Sequence, residues 1–163
     1  MNFRKIILVA GLFILLINLS AIDKAPEFKL KNMKGEWVNL SQKIDKHFVI
    51  LDFWASFCAP CKKELPGLNK IDKKHNDINV LAVCTDRPRT QNKAKAFIKS
   101  NRFSFETLFD SRGKVRKLFN VVDIPHTVVI APNGEIVTVH TGYKRGDEKH
   151  LLLEIEKWKK AHK

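Results

Sequence analysis

The apolar residues of this chain fall into runs of two kinds, and the difference between them marks out its elements. His47 to Ala55 carries Phe48-Val49-Ile50-Leu51 and then Asp52-Phe53-Trp54 with little polar interruption, the pattern of a strand buried on both faces. Asn79 to Thr85 is a second run of that kind. Between them, Lys62 to His75 places Leu65, Leu68 and Ile71 at helical steps, which predicts an amphipathic helix kinked by Pro66. Upstream, Glu27 to Asn32 and Trp37 to Leu40 flank Lys34-Gly35 and predict a hairpin, with Ser41 as N-cap of a short helical turn.

Downstream, Gln91 to Asn101 predicts a helix with Ala94, Ala96, Phe97 and Ile98 on its apolar side. Phe105 to Phe109 predicts a short strand, and Lys114 to Phe119 a short helix after the turn Ser111-Arg112-Gly113. Thr127 to Ala131 and Glu135 to Thr141 flank Pro132-Asn133-Gly134, a hairpin signal because Asn-Gly readily supplies positive φ. Asp147 to His162 predicts a last helix, apolar at Leu151, Leu152, Ile155 and Trp158. Alternating β and α elements followed by a hairpin and a helix predict an α/β fold, a mixed central sheet flanked by helices on both faces.

The N-terminus obeys a different rule. Arg4 and Lys5 precede an apolar run from Ile6 to Ile17, and polar Asn18 and Ser20 follow, which is the order of an export signal. Extended over residues 6–22 the run has marginal length against the ~20 residues of a spanning helix. Cleavage after Ala21 fits except that Leu19 stands where a small residue is usual. Residues 1–21 therefore read as a signal peptide or an N-terminal membrane anchor, with residues 22–163 as one domain. Either way that domain is periplasmic or otherwise extracytoplasmic, because Arg4 and Lys5 hold the N-terminus on the inner face. No Cys lies near the end of the run, which argues against a lipid-modified N-terminus.

Composition adds a strongly basic surface, with a formal net charge of +13. Its Lys residues are dispersed, as on a solvated surface, although acidic partner proteins or an anionic membrane face would also be attracted. No nucleic-acid partner is expected, since no recognition motif accompanies the charge.

The candidate chemistry is sulfur chemistry. Three cysteines cannot all pair within one chain. Cys58 and Cys61 stand three apart at a predicted helix start, on one helical turn, so their sulfurs can bond. The first of the two lies nearest the free backbone N–H groups and the positive end of the helix dipole, which makes Cys58 the thiolate that attacks a partner disulfide and Cys61 the resolving thiol. A structural bridge closing so short a loop would stabilise little, and a zinc site would have to recruit Cys84 and a His. Cys84, among Val80, Leu81 and Val83, reads as an inert buried thiol.

The segment Asp52-Phe53-Trp54-Ala55-Ser56-Phe57-Cys58-Ala59-Pro60-Cys61-Lys62 resembles the active-site segment of the thioredoxins, and Pro66, Ile124-Pro125 and Gly142 also stand where that family has them. Within that superfamily the chain is most similar to the exported, often membrane-tethered TlpA and ResA-like proteins. The export segment, the N-terminal hairpin, Cys61-Lys62-Lys63-Glu64-Leu65-Pro66 and the extra length between Asp86 and Val121 carry this likeness. The resemblance implies a thioredoxin fold with an N-terminal β-hairpin and an inserted helix-strand segment. It also implies an enzyme, a protein thiol-disulfide oxidoreductase that reduces particular exported proteins, among them factors of cytochrome c maturation and copper-site assembly.

Further implications are specific to residues. The redox-active Cys58–Cys61 disulfide would be the only redox group, with no separate cofactor and no metal. Asp52, a carboxylate in an apolar strand, would have a raised pKa and help deprotonate Cys61. Pro125 would be cis, and Ile124, Pro125 and His126 would pair with a substrate strand beside Ala59 and Pro60. Trp54 and Phe57 read either as a docking surface beside the cysteines or, equally, as packing residues. The chain departs from the family at Ala82, where thioredoxins commonly have Lys, and at His126, where Thr is usual. ResA-like relatives often replace the Asp at position 52 by Asn and use a Glu elsewhere.

Ala-Pro between the cysteines lacks the His of strongly oxidising relatives, which favours a reductase supplied by a membrane or periplasmic thiol electron donor. The expected partners are protein disulfides and that donor, and a monomer is the simplest state. Two other activities are compatible with the residues: disulfide oxidation or isomerisation, and Cu(I) delivery through Cys58, Cys61 and His126. A redox-inert binding module that only borrows the fold is a third alternative.

Overall fold

The computed structural model describes residues 24–163. The signal or anchor segment read at residues 1–21, with its apolar stretch 6–22, lies outside them. Among the described residues no helix is long and apolar enough to cross a membrane.

Phe48–Trp54 forms β3, a strand with every residue buried. It pairs in parallel with β4 (Ile78–Cys84) and antiparallel with β6 (His126–Ile130), so both of its edges are hydrogen-bonded. Helical elements pack on both of its faces as well, which is why its sequence lacks polar alternation. Beyond β4 lies β5 (Glu106–Phe109), and beyond β6 lies β7 (Ile136–Thr141). The N-terminal hairpin of β1 (Lys29–Asn32) and β2 (Trp37–Asn39) joins the far side of β5, giving one seven-stranded mixed sheet in the order β2-β1-β5-β4-β3-β6-β7.

Five helices cover it. On one face α2 (Ala59–Lys74), α3 (Gln91–Ser100) and α5 (Asp147–Ala161) pack Leu65, Leu68, Ala94, Ile98, Leu151 and Ile155 against Ile50, Trp54 and Val80. On the other face α1 (Leu40–Ile44) and α4 (Lys114–Leu118) pack Leu40 and Val115 against Val49, Leu51 and Phe53. The expected α/β architecture is the observed one, and the inserted segment after Asp86 is α3 with β5.

Several local expectations need correcting. α1 begins at Leu40, and Ser41, expected as its N-cap, instead gives its N–H and hydroxyl to the Glu27 carboxylate. α2 starts at Ala59, earlier than the Leu65-Leu68-Ile71 stripe indicates, because Pro60 is preorganised for a first helical turn where no N–H partner is required. Pro66 does lie inside α2 as expected, where it cannot donate to the Lys62 carbonyl. Ala96, expected on the apolar side of α3, is exposed, while Ala94 and Ile98 hold the contact. Helical phase explains it: two residues from each of these positions, Ala96 points away.

Leu68 is fully buried between α2 and the sheet. Leu68→Ala is expected to cost about 2–5 kcal/mol in denaturant unfolding, whereas Ala96→Ser should cost under about 1 kcal/mol. Equal effects would contradict the packing described.

Candidate active site

β3 ends at Trp54, and the chain must turn before α2 can begin. Asp86, buried just after β4, controls that turn: its carboxylate accepts the Ser56 N–H at 2.7 Å and the Ser56 hydroxyl at 2.8 Å. Burial alone would raise its pKa, but hydrogen bonds from Thr90 and Ser56 outweigh it and hold the carboxyl below its ordinary value. With the turn fixed, Cys58 occupies the N-cap of α2, and its sulfur accepts the Cys61 N–H at 3.2 Å. The sulfur thus sits among the unpaired N–H groups of the helix N-terminus, where negative charge is stabilised.

Cys58 and Cys61 are joined in a disulfide with Cα atoms 5.3 Å apart. Cys58 is 8% exposed and Cys61 is 0% exposed, so only the first sulfur can meet a macromolecular partner. The Ile124–Pro125 peptide is cis, and the Ile124 carbonyl oxygen lies 3.8 Å from Cys58 Sγ, a contact and not a hydrogen bond while the sulfur carries no proton. Pro125 is anchored by the Gly142 N–H, which donates to its carbonyl at 2.8 Å. Around this rim Ala59 and Pro60 are exposed, Ile124 is half-buried, and Phe57 and Val122 stand out at 76% and 77% exposure.

Trp54 does not belong to that rim. It is fully buried against Phe97, so its expected place in the docking surface is corrected: at the end of a strand covered on both faces, its ring supports the sheet from within. His126 is also turned inward. Its Nδ1 bonds Thr141 Oγ1 at 2.9 Å, its ring meets Phe53 edge-on, and burial together with nearby His140 holds its pKa below the usual value. The described residues hold no cluster of three or more His, Cys, Asp or Glu able to hold a metal ion, so Cys58, Cys61 and His126 are not gathered into a ligand set.

Asp52 has a neighbour that the sequence reading did not single out. Glu64, three residues after Cys61 and therefore on the same helical face, is buried in α2 beside it. One hydroxyl links the two: Thr127 Oγ1 lies 3.3 Å from Asp52 Oδ1 and 3.1 Å from Glu64 Oε1. A hydroxyl carries a single proton and can donate to only one of them, so the bridge is complete when the other carboxyl holds a proton and donates to Oγ1. The remaining oxygens, Asp52 Oδ2 and Glu64 Oε2, are buried without a hydrogen-bond partner. The strand position facing Asp52 is Ala82, so no cation is supplied there.

Burial pushes Asp52 up to about 7, against the opposing hydrogen bond from Thr127. Burial pushes Glu64 up to about 9, with the charge of Asp52 as the next cause. The signal for Glu64 was present in the sequence as a charged residue one step from Leu65, but helical phase alone does not say that the sheet beyond carries another acid. Cys84 is the bland thiol expected: buried, 3.2 Å from Asp86 Oδ2, with its pKa raised chiefly by burial.

Both acids have folded pKa values above their unfolded ones, so the folded state binds more protons between about pH 4 and pH 9 and loses stability as pH rises through that window. Urea unfolding of the oxidised protein is expected to show a loss of about 1–3 kcal/mol from pH 5 to pH 9, flattened in Glu64→Gln. A wild-type profile that is flat, or that rises, would show that the pair is not proton-loaded.

Comparison with known proteins agrees with this geometry. The model of the AhpC/TSA family matches residues 21–139. Thioredoxin-like protein YneN of Bacillus subtilis is 31% identical over 136 residues, which cover 82% of this chain and 79% of that protein. Thiol-disulfide oxidoreductase ResA of Halalkalibacterium halodurans is 30% identical over 122 residues, covering 74% of this chain and 68% of that protein. Among solved structures, one described as a thiol:disulfide interchange protein DsbE from Chlorobium tepidum superposes with a TM-score of 0.75 at 33% identity, covering 82% of this chain and 93% of that one. The N-capping cysteine, the deeper second cysteine and these relatives lead to one conclusion: the chain belongs to the thioredoxin-like AhpC/TSA family and is a thiol-disulfide oxidoreductase of the ResA type.

Proposed function

We propose that the protein is exported and reduces disulfides of other exported proteins, with Cys58 as nucleophile, Cys61 as resolving thiol and the Asp52–Glu64 pair as proton acceptor. The observation that carries this reading is the asymmetry of the two sulfurs, one at the helix N-cap and partly exposed, the other fully buried one helical turn before buried Glu64. In the reduced enzyme the Cys58 thiolate attacks a substrate disulfide; a mixed disulfide forms and one substrate thiolate leaves. Cys61 then gives its proton to the carboxyl pair and attacks Cys58 Sγ. The mixed disulfide breaks, the second substrate thiolate is released, and the enzyme is left as the Cys58–Cys61 disulfide. Two electrons have passed to the substrate, and a thiol electron donor restores the dithiol.

Exposed Phe57, next to Cys58, and exposed Val122, two residues before Ile124, offer apolar contacts to the substrate chain. Ala59, Pro60, Ile124 and Pro125 frame the sulfur, and no separate cofactor enters the scheme. Export rests on the order of Arg4, Lys5 and the apolar run after them. Factors of cytochrome c maturation or copper-site assembly are the substrates suggested by likeness to ResA. Ala59-Pro60 between the cysteines favours reduction over oxidation, as neither residue adds a charge that would stabilise the Cys58 thiolate further.

Equilibration with dithiothreitol and glutathione buffers, followed by alkylation and mass measurement, tests the direction. A potential near the thioredoxin value of about −270 mV is expected, and one near about −120 mV would make the protein an oxidant. Cys58→Ser should abolish reduction of a protein disulfide such as insulin. Cys61→Ser should instead accumulate the mixed disulfide through Cys58, visible as a reducible adduct; an adduct through Cys84 would refute the assignment.

A further inference from the structure

A groove of about 770 Å³ runs along the β1–β2 edge of the sheet, lined also by residues of α3 and α4 and by none of the cysteine rim. Its position follows from the fold. α3 borders it through Gln91 and Lys95 and α4 through Lys114 and Val115, and Trp37 of β2 stays exposed. The floor is apolar, formed by Met33, Trp37 and Phe109, and Trp37 is 57% exposed. The walls are cationic: Lys29, Lys31, Lys34, Lys95, Arg112 and Lys114.

Three of these cations rest on aromatic rings. Lys29 and Lys31 rest their ammonium groups 5.3 and 5.1 Å from the centre of the Trp37 ring, and Lys95 lies 5.3 Å from that of Phe109. Among the described residues none of the six forms a salt bridge. Asp110, the one carboxylate lining the groove, is buried and spends both oxygens on the backbone N–H groups of Lys114 and Arg116. Concentrating like charge around an apolar floor is unfavourable for the isolated protein and favourable once an anion enters.

β2 adds a directional feature. Among the described residues it is the outermost strand of the sheet, paired only with β1, so its outer edge presents backbone N–H and C=O groups next to Trp37. An extended polypeptide can pair with such an edge; a lipid surface or a nucleic acid cannot. The groove also connects to the turn before the cysteines. The Gln91 side chain on its wall reaches the Asp86 carbonyl and Ser111 Oγ, and the Asp86 carboxylate holds Ser56.

We infer that this groove docks an extended acidic segment of the protein with which the cysteine pair exchanges electrons. The identity of that segment's owner rests on the proposed function; the docking itself does not, and it can be tested without redox chemistry. The probe is a nine-residue, cysteine-free peptide alternating glutamate with leucine and phenylalanine, titrated into the full-length oxidised protein in detergent at low salt and followed by NMR and Trp fluorescence. Shifts should concentrate at Lys29 to Trp37 and Phe109 to Lys114, and affinity should fall as salt rises.

Lys29→Glu with Lys31→Glu should weaken binding by about tenfold or more, while the same reversal at exposed Lys70 and Lys73 on α2, equal in net charge, should change it by less than about twofold. If the reversal disturbs the hairpin, Lys29→Gln with Lys31→Gln and Trp37→Ala give the same reading with smaller losses. Equal losses at the control pair, shifts that map elsewhere, or tighter groove-dependent binding of phosphatidylserine vesicles or oligothymidylate would each overturn the proposal. Docking that persists in a protein whose potential proves oxidising would leave the groove standing while the proposed function failed.

Discussion

The end of β3 is where the chain's freedom is removed, and the chemistry depends on it. Seven consecutive buried residues, hydrogen-bonded to β4 on one side and β6 on the other, leave Trp54 no alternative position. From there Asp86 clamps Ser56, and Cys58 caps α2 with its sulfur on the Cys61 N–H. A thiolate at that point is stabilised by N–H groups already aligned, with no reorganisation when charge appears. The same strand carries Asp52 two residues earlier, so the positions of sulfur and acid are set by one rigid element.

That acid is costly to keep. An unpaired carboxylate inside a core is strongly disfavoured, and two together are worse unless they share a proton. The protein places Ala82 opposite Asp52 and brings Glu64 and the Thr127 hydroxyl into the space beside it. Such a pair is a poor stabiliser of the fold and a good proton reservoir near neutral pH. The N-capping sulfur differs from the acids: it is held where its charged form is favoured, they are held where theirs is disfavoured, and in both cases the surrounding apolar packing supplies the stability.

The two exposed features differ in kind. Around Cys58 the apolar Phe57 and Val122 stand out, and such a surface suits contact with many chains. Along the β1–β2 edge it is cationic over an aromatic floor, and suits discrimination by charge. Chemistry at one place and recognition at another would let a single disulfide site serve a restricted set of partners.

Much of this was legible in the residue order. Continuous apolar runs named the buried strands, helical spacing named α2 and α5, Asn133-Gly134 named the last hairpin, and the Cys58–Cys61 spacing with its flanking residues named the chemistry, because each of these signals is local in sequence. The misreadings were local signals that tertiary contacts overrode: Ser41 went to Glu27, Ala96 faced outward, and Trp54 turned from docking to packing. What the sequence could not contain is the meeting of Asp52, Glu64 and Thr127, or of Trp37 with Phe109 and Lys95, drawn from elements far apart along the chain. Periodicity states which face of each element is buried; only the order of strands in the sheet and the packing of helices across it decide what that face meets.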